Sequence, residues 1–159
     1  MRSRGISHAL RIVLAALALS AALPDRSAVQ TYRDVEAGRI ESLPIGMTPE
    51  EEALGDLRIR ECDGCHACWQ ARPCPRHDDM TALFARLAAA DAVVLGTPVY
   101  WYGPTALMKA FVDRLVYFNC PANRPQVRGK RAALAIPYEE ETAETAQLAV
   151  AFFEKSLAF

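Results

Sequence analysis

Four of the five cysteines in this 159-residue chain crowd into one short segment: Cys62, Cys65, Cys68 and Cys74, the last followed by Pro75. Three thiolates at two-residue intervals can wrap one corner-sharing iron–sulfur cluster. A fourth arrives from just downstream, and a proline follows it as in bacterial ferredoxin runs. Gly64 allows the tight backbone such a loop needs. A structural zinc site usually takes two separated pairs and ranks second. A redox-active dithiol ranks third, and four ordinary thiols are the plainest alternative. His66 and His77 read as surface residues, since four thiolates already complete a site. Cys120 reads as a partly buried thiol beside Pro121.

The other chemically suggestive stretch is Thr97-Pro98-Val99-Tyr100-Trp101-Tyr102-Gly103-Pro104. It joins Pro/Gly rigidity to three adjacent aromatics. A planar cofactor needs apolar walls and a few backbone donors, and such a loop supplies both. A packed strand end is the competing reading. Strand alternation through Tyr100 and Trp101 sends one side chain toward a ligand edge and the other into packing or a partner subunit. Lys109, Asp113 and Arg114 follow on the next helix, and read as an i,i+4 salt bridge and a helix-end cation.

Periodicity gives the elements that must carry these groups. Residues 7–23 read as an Ala/Leu-rich helix, capped at Ser7 and stopped at Pro24. The run Ile12–Leu19 behind Arg2, Arg4 and Arg11 also mimics a secretory signal, but Leu23-Pro24-Asp25-Arg26 makes a poor cleavage region. Residues 29–35 alternate weakly, as in a short strand. Residues 36–77 read as a loop region containing the cysteines, with Glu50-Glu51-Glu52 on a solvated connection. Asp78 or Asp79 caps a helix to about Ala90, with Met80, Leu83, Phe84 and Leu87 on one face. Ala92–Gly96 and Arg131–Ile136 are apolar runs typical of buried strands. Thr105–Phe118 and Thr142 onward are amphipathic helices. Alternating strands and helices argue an α/β fold with a parallel sheet, which binds ligands at the carboxyl ends of its strands. The loop 97–103 and the segment Pro137-Tyr138-Glu139 both follow strands, so both belong at that edge.

The length suits one domain, 1–159. A hydrophobic share of 52 % and a net charge of −1 mark a globular chain with no global basic field. General nucleic-acid binding is therefore disfavoured. The longest apolar run is too short to span a bilayer. Crowded thiols in a chain with a sufficient core point to a reducing, cytoplasmic setting, not to disulfides.

Taken together, Cys62-Asp-Gly-Cys65-His-Ala-Cys68, Cys74, Asp78-Asp79-Met80, Ala90-Asp91-Ala-Val-Val-Leu-Gly-Thr97-Pro98-Val-Tyr100-Trp-Tyr-Gly103 and Lys109-Ala-Phe-Val-Asp113-Arg114 resemble the NAD(P)H-dependent FMN reductase family, in its iron–sulfur flavoprotein branch. The likeness covers about residues 57–159. It implies a flavodoxin-like three-layer sandwich with strand order 2-1-3-4-5, bound FMN, NAD(P)H as co-substrate, an electron acceptor still to be identified, and a homo-oligomer. It implies that Thr97, Pro98, Val99, Tyr100, Trp101, Tyr102 and Gly103 lie along the isoalloxazine ring, largely through backbone contacts. Tyr138 would flank its other side. It also implies a 4Fe–4S cluster on Cys62, Cys65, Cys68 and Cys74. Ser7, in Arg4-x-x-Ser7, matches the tail of the family's phosphate loop, whose Gly-Ser start is missing here. Against the family pattern the domain is expected to be incomplete at both ends, without the first strand and the last strand–helix unit. The alternative function is a non-catalytic domain whose cysteines hold a metal or a partner and which binds no flavin; a secreted thiol protein is a third reading.

Overall fold

The computed structural model describes residues 11–15 and 49–158. Ser7 and the expected strand at 29–35 lie outside the described residues. A four-stranded sheet is formed by β1 (Arg11–Ala15), β2 (Pro49–Ala53), β3 (Ala92–Gly96) and β4 (Arg131–Ala135), in the order β2-β1-β3-β4. Four helices accompany it: α1 (Met80–Ala89), α2 (Ala106–Arg114), α3 (Val116–Asn119) and α4 (Glu144–Ser156).

Several expectations are corrected here. Residues 11–15 are a strand and not part of a helix. The Ala/Leu-rich stretch suggested a helix, but this window holds the β-branched pair Ile12-Val13. It is paired on both sides, Ile12 facing Glu52 on β2 and Leu95 on β3. The place between β2 and β3 is thus filled. Second, Glu50-Glu51-Glu52 is no solvated connection; it forms most of β2, so the segment 36–77 is not all loop. Backbone pairing with β1 outweighs the low strand propensity of glutamate, and charge on an edge strand discourages pairing with another chain. Glu52 also forms an ion pair with Arg86 of α1.

The order β2-β1-β3-β4 has a strand in the place of the first strand of the 2-1-3-4-5 order that the resemblance implies, where none was expected in this chain, but the directions are mixed. β3 and β4 run parallel in register from Ala92↔Arg131 to Gly96↔Ala135, whereas β1 is antiparallel to both neighbours. The purely parallel sheet is therefore corrected to a mixed one: β1 alone runs the other way, and β2 beyond it runs in the direction of β3 and β4.

The helices match their apolar periodicities. On α1 the buried residues are Met80, Leu83, Phe84 and Leu87, the face read from sequence. At its C-terminus the Lys130 ammonium donates to the carbonyls of Ala88, at 2.8 Å, and Ala90, placing a cation on the negative end of the helix. On α4, Ala146, Ala149 and Phe153 are buried at helical spacing. The single helix expected from Thr105 to Phe118 is broken at Leu115, where Leu115 N–H bonds back three residues to Val112 at 3.0 Å and tightens the turn. Thr105 caps α2, its hydroxyl accepting from Met108 N–H at 3.2 Å.

One core joins all four helices to the parallel pair. Met80, Met108, Phe111 and Phe153 are wholly buried, and Leu95 packs among them. Truncating Leu95 to Ala should cost about 2–5 kcal/mol, the range for a buried leucine whose surroundings relax incompletely. Urea unfolding followed by circular dichroism measures it; a loss under 1 kcal/mol would mean that β3 is not a central core strand.

Candidate functional site

The cysteine loop is closed by a buried ion pair. The segment before it, 58–60, lies against the start of α1: Arg58 N–H donates to Asp79 at 2.7 Å, Arg60 N–H to Asp78 at 2.9 Å. The Arg114 guanidinium, at the end of α2, then reaches both stems. It donates to Asp78 at 2.6 and 3.2 Å, to the Arg60 carbonyl at 2.9 Å, and to Cys74 Sγ at 3.5 Å. The Arg114 and Asp78 side chains are 2 % and 3 % exposed. Burial alone would push the Asp78 carboxyl up, but the hydrogen bonds from Arg114 and Arg60 outweigh it and hold it below its ordinary 3.8. Arg114 is held still more firmly protonated by the same contacts.

Arg114 is a helix-end cation, as its position suggested, but it is also buried and ion-paired. It lies on the same helical face as Phe111 and Phe118, which was the available signal: an arginine amid an apolar stripe must find a buried partner. The Lys109–Asp113 salt bridge stands as expected, at 2.6 Å and exposed.

Within the loop, Gly64, His66 and Ala71 have positive φ of 68°, 56° and 55°. These left-handed residues curl the chain so that Cys62, Cys65, Cys68 and Cys74 all line one concavity. Phe84, Val116 and Tyr117 form its apolar wall, with Phe84 and Tyr117 stacked at 4.1 Å. All four thiols are free. Burial, with smaller contributions from the Cys120 and Cys62 thiols, pushes the Cys68 thiol up, so a metal taking it as thiolate displaces a proton. His66 and His77 are exposed, as expected of surface residues. Cys120 is more buried than expected, at 0 % exposure. Its Sγ donates to the Tyr117 carbonyl at 3.0 Å and accepts from Asn123 at 3.2 Å, and it stands outside the concavity.

Among the described residues no three His, Cys, Asp or Glu side chains converge on a single ion. The four thiols line one concavity, and four thiolates are the ligand set that a 4Fe–4S cluster takes. A second observation concerns charge. Arg76 Nε is buried in the lining of this concavity without a hydrogen-bond partner, and Arg114 already donates to Cys74. One guanidinium on a thiol and a second in the same lining fit an anionic, sulfur-rich occupant.

The aromatic loop lies at the carboxyl edge of β3 and β4, as expected. Thr97 N–H donates to Ala135 O at 3.0 Å and Val99 N–H to Pro137 O at 3.2 Å, continuing the parallel ladder and seating 97–103 beside 137–139. Tyr100 and Gly103 exchange N–H···O bonds of 2.9 and 3.2 Å around a two-residue turn. The central residues, Trp101 and Tyr102, have φ of 51° and 65°, a conformation usually left to Asn and Gly. Trp101 is 96 % exposed, and Tyr100, Tyr102 and Tyr138 are exposed as well. The turn begins between Tyr100 and Trp101, and neither packs into the chain's own core. Pro98, Val99 and Gly103 are half-buried. Thr97 is buried, its hydroxyl donating to Pro98 O at 3.1 Å and accepting from Thr105 N–H at 3.2 Å. Its side chain shapes the loop instead of facing outward.

With the geometry in place, comparison with known proteins is direct. The family described as NADPH-dependent FMN reductase matches residues 10–154. The chain belongs to that family. Among curated proteins it is similar to an iron-sulfur flavoprotein of Archaeoglobus fulgidus, 33 % identical over 93 residues, covering 58 % of this chain and 41 % of the relative. An iron-sulfur flavoprotein of Methanocaldococcus jannaschii is 35 % identical over 43 % of this chain and 36 % of its own length. Another, from Methanosarcina thermophila, is 30 % identical over 45 % and 37 %. The matched part of the chain thus spans under half of each relative. No solved structure matches.

Replacing Arg114 by Met leaves Asp78 buried and unpaired, and should destabilise the fold by about 3–5 kcal/mol. The sign of the pH effect follows from the lowered Asp78 value. The pair's contribution is complete above the ordinary carboxylate value and is lost as pH falls below it toward the depressed folded value. Urea midpoints from pH 7 down to 2.5 check this: wild type should lose stability more steeply below pH 4 than Asp78→Asn does, and parallel curves would refute it.

Proposed function

We propose that this chain forms part of a flavin-dependent oxidoreductase, with FMN at the 97–103 and 137–139 edge and a 4Fe–4S cluster on Cys62, Cys65, Cys68 and Cys74. The observation that carries the reading is the pairing of two unlike sites in a member of this family: exposed aromatics at the carboxyl ends of parallel strands, and four thiols in a cation-lined concavity. When bound, FMN accepts a hydride from NAD(P)H and releases electrons singly, and a cluster passes them to an acceptor.

The chain's own residues have definable parts. Tyr100, Trp101 and Tyr102 offer planar apolar surface for a ring system. The Pro98–Gly103 backbone, pinned to Pro137 through Val99, fixes that surface relative to the sheet. Tyr138 bounds the opposite side. No residue is assigned as general acid or base, because the flavin carries the chemistry. A flavodoxin-like three-layer arrangement is the finer fold reading, and a homo-oligomer suits side chains as exposed as Trp101. Among the described residues no helix is long and apolar enough to cross a membrane. A cytoplasmic setting belongs to the same proposal and rests on the free thiols.

Two experiments test it. Anaerobically purified protein should contain iron and sulfide in equal amounts. Serine at Cys62, Cys65, Cys68 or Cys74 should strip most of both, while Cys120→Ser should retain them. Zinc without sulfide would instead favour the metal-binding domain without electron transfer. The turn gives the second test. Two aromatics held left-handed cost roughly 1–2 kcal/mol each, so Trp101→Asn with Tyr102→Gly should stabilise the fold by about 1–3 kcal/mol while weakening FMN or nicotinamide binding at least tenfold. Unchanged affinity would remove the aromatics from the site.

A further inference from the structure

The concavity contains more than its thiols. Arg114 Nη2 donates to Cys74 Sγ at 3.5 Å from a guanidinium shielded from solvent. Arg76 enters from the loop itself. Its Nη2 pairs with Asp63 at 3.2 Å, and its buried Nε has no partner. Each cation also has a carboxylate behind it: Asp78 for Arg114, and Asp63 for Arg76. Asp63 in turn accepts from Cys65 N–H at 3.2 Å.

We propose that Arg114 and Arg76 are positioning residues that set the reduction potential of the group held by Cys62, Cys65, Cys68 and Cys74, each drawing it upward, with Asp78 and Asp63 holding the two guanidiniums in place and moderating them. The inference rests on the cluster reading above. Reduction adds one electron to the sulfur-ligated group, taken from the reduced flavin of that reading; no bond of the chain forms or breaks. The added negative charge falls largely on sulfur. A donor on one of those sulfurs, Arg114, and a positive charge in the same lining, Arg76, favour the reduced state, and a carboxylate paired with either cation opposes it. Water screens little of the effect of the buried Arg114 and more of the effects of Arg76 and Asp63, whose side chains are 24 % and 41 % exposed.

The test is a potentiometric titration of anaerobic full-length protein with dithionite, followed by visible absorbance and electron paramagnetic resonance. Iron and sulfide are assayed on each sample. Arg76→Gln should shift the oxidised-to-reduced ratio at fixed potential about tenfold toward oxidised, a midpoint about 59 mV more negative for a one-electron couple. Arg114→Lys keeps a cation for Asp78 but cannot fork to Cys74, and should shift it the same way. Asp63→Asn keeps the acceptor for Cys65 N–H and removes the counter-charge, so its midpoint should rise. Opposite signs for the Arg76 and Asp63 variants support the proposal, since mere loosening of the loop moves both the same way. Both are exposed enough to fold if Arg114→Lys does not. Midpoints that stay at the wild-type value, or move together, overturn the proposal and leave the cluster reading standing. Wild-type protein without iron and sulfide overturns both.

Discussion

Asp78 and Arg114 meet 2.6 Å apart with almost no water around either, and the local structure of the cysteine loop depends on that meeting. Burying two charges is costly, and a pair this deep is worth having only when the remaining donors and acceptors are satisfied. Here they are. Asp78 takes the Arg60 and Met80 N–H groups as well as the guanidinium, and Arg114 reaches the Arg60 carbonyl and Cys74. The residues that close the loop's stem and one cysteine inside it thus share one guanidinium. A 17-residue connection between residues 60 and 78 would otherwise carry considerable closure entropy. The pair converts it into a fixed bowl with its apolar wall on Phe84 and Tyr117.

The same helix ties the second site to the first. α2 begins at Thr105, whose N–H donates to the buried Thr97 hydroxyl in the aromatic loop, and ends at Arg114 in the cysteine loop. At 1.5 Å per residue, nine residues make a strut of roughly 14 Å. Its apolar face, Met108, Phe111 and Val112, is locked in the core. Neither loop can shift without disturbing a hydrogen bond at one end of this helix. A rigid element between two candidate redox sites keeps their spacing constant, which a relay of electrons requires more than it requires motion.

Much of this was legible before any coordinates. The α1 face, the bounds of β3, the placement of β4, and the shared edge of 97–103 and 137–139 all followed from period and punctuation, because local and tertiary preferences agree there. Legibility failed where they conflict. Arg11–Ala15 sits in an Ala/Leu-rich stretch, and only pairing on both flanks makes it a strand. Glu50–Glu52 is strand by backbone pairing with β1, which composition cannot report. Arg114 looked like a surface cation because helix-end arginines usually are, although its spacing from Phe111 and Phe118 already placed it on the buried face. The turn at Trp101-Tyr102 ran against turn chemistry, so no local rule pointed to it.

That last conflict bears on where the fold spends its stability. The core is placed where sequence and packing reinforce one another. The left-handed conformations of Trp101 and Tyr102 work against folding, and nothing in the chain's own core is gained from them, since both rings face solvent. Strain that persists without internal compensation must be held by its surroundings, here the paired bonds between Tyr100 and Gly103 and the anchor from Val99 to Pro137. Asn-Gly would make the same turn without that strain. What aromatics add, and Asn-Gly cannot, is broad apolar surface held at a fixed angle to the sheet edge. That surface is what the proposed flavin site would use.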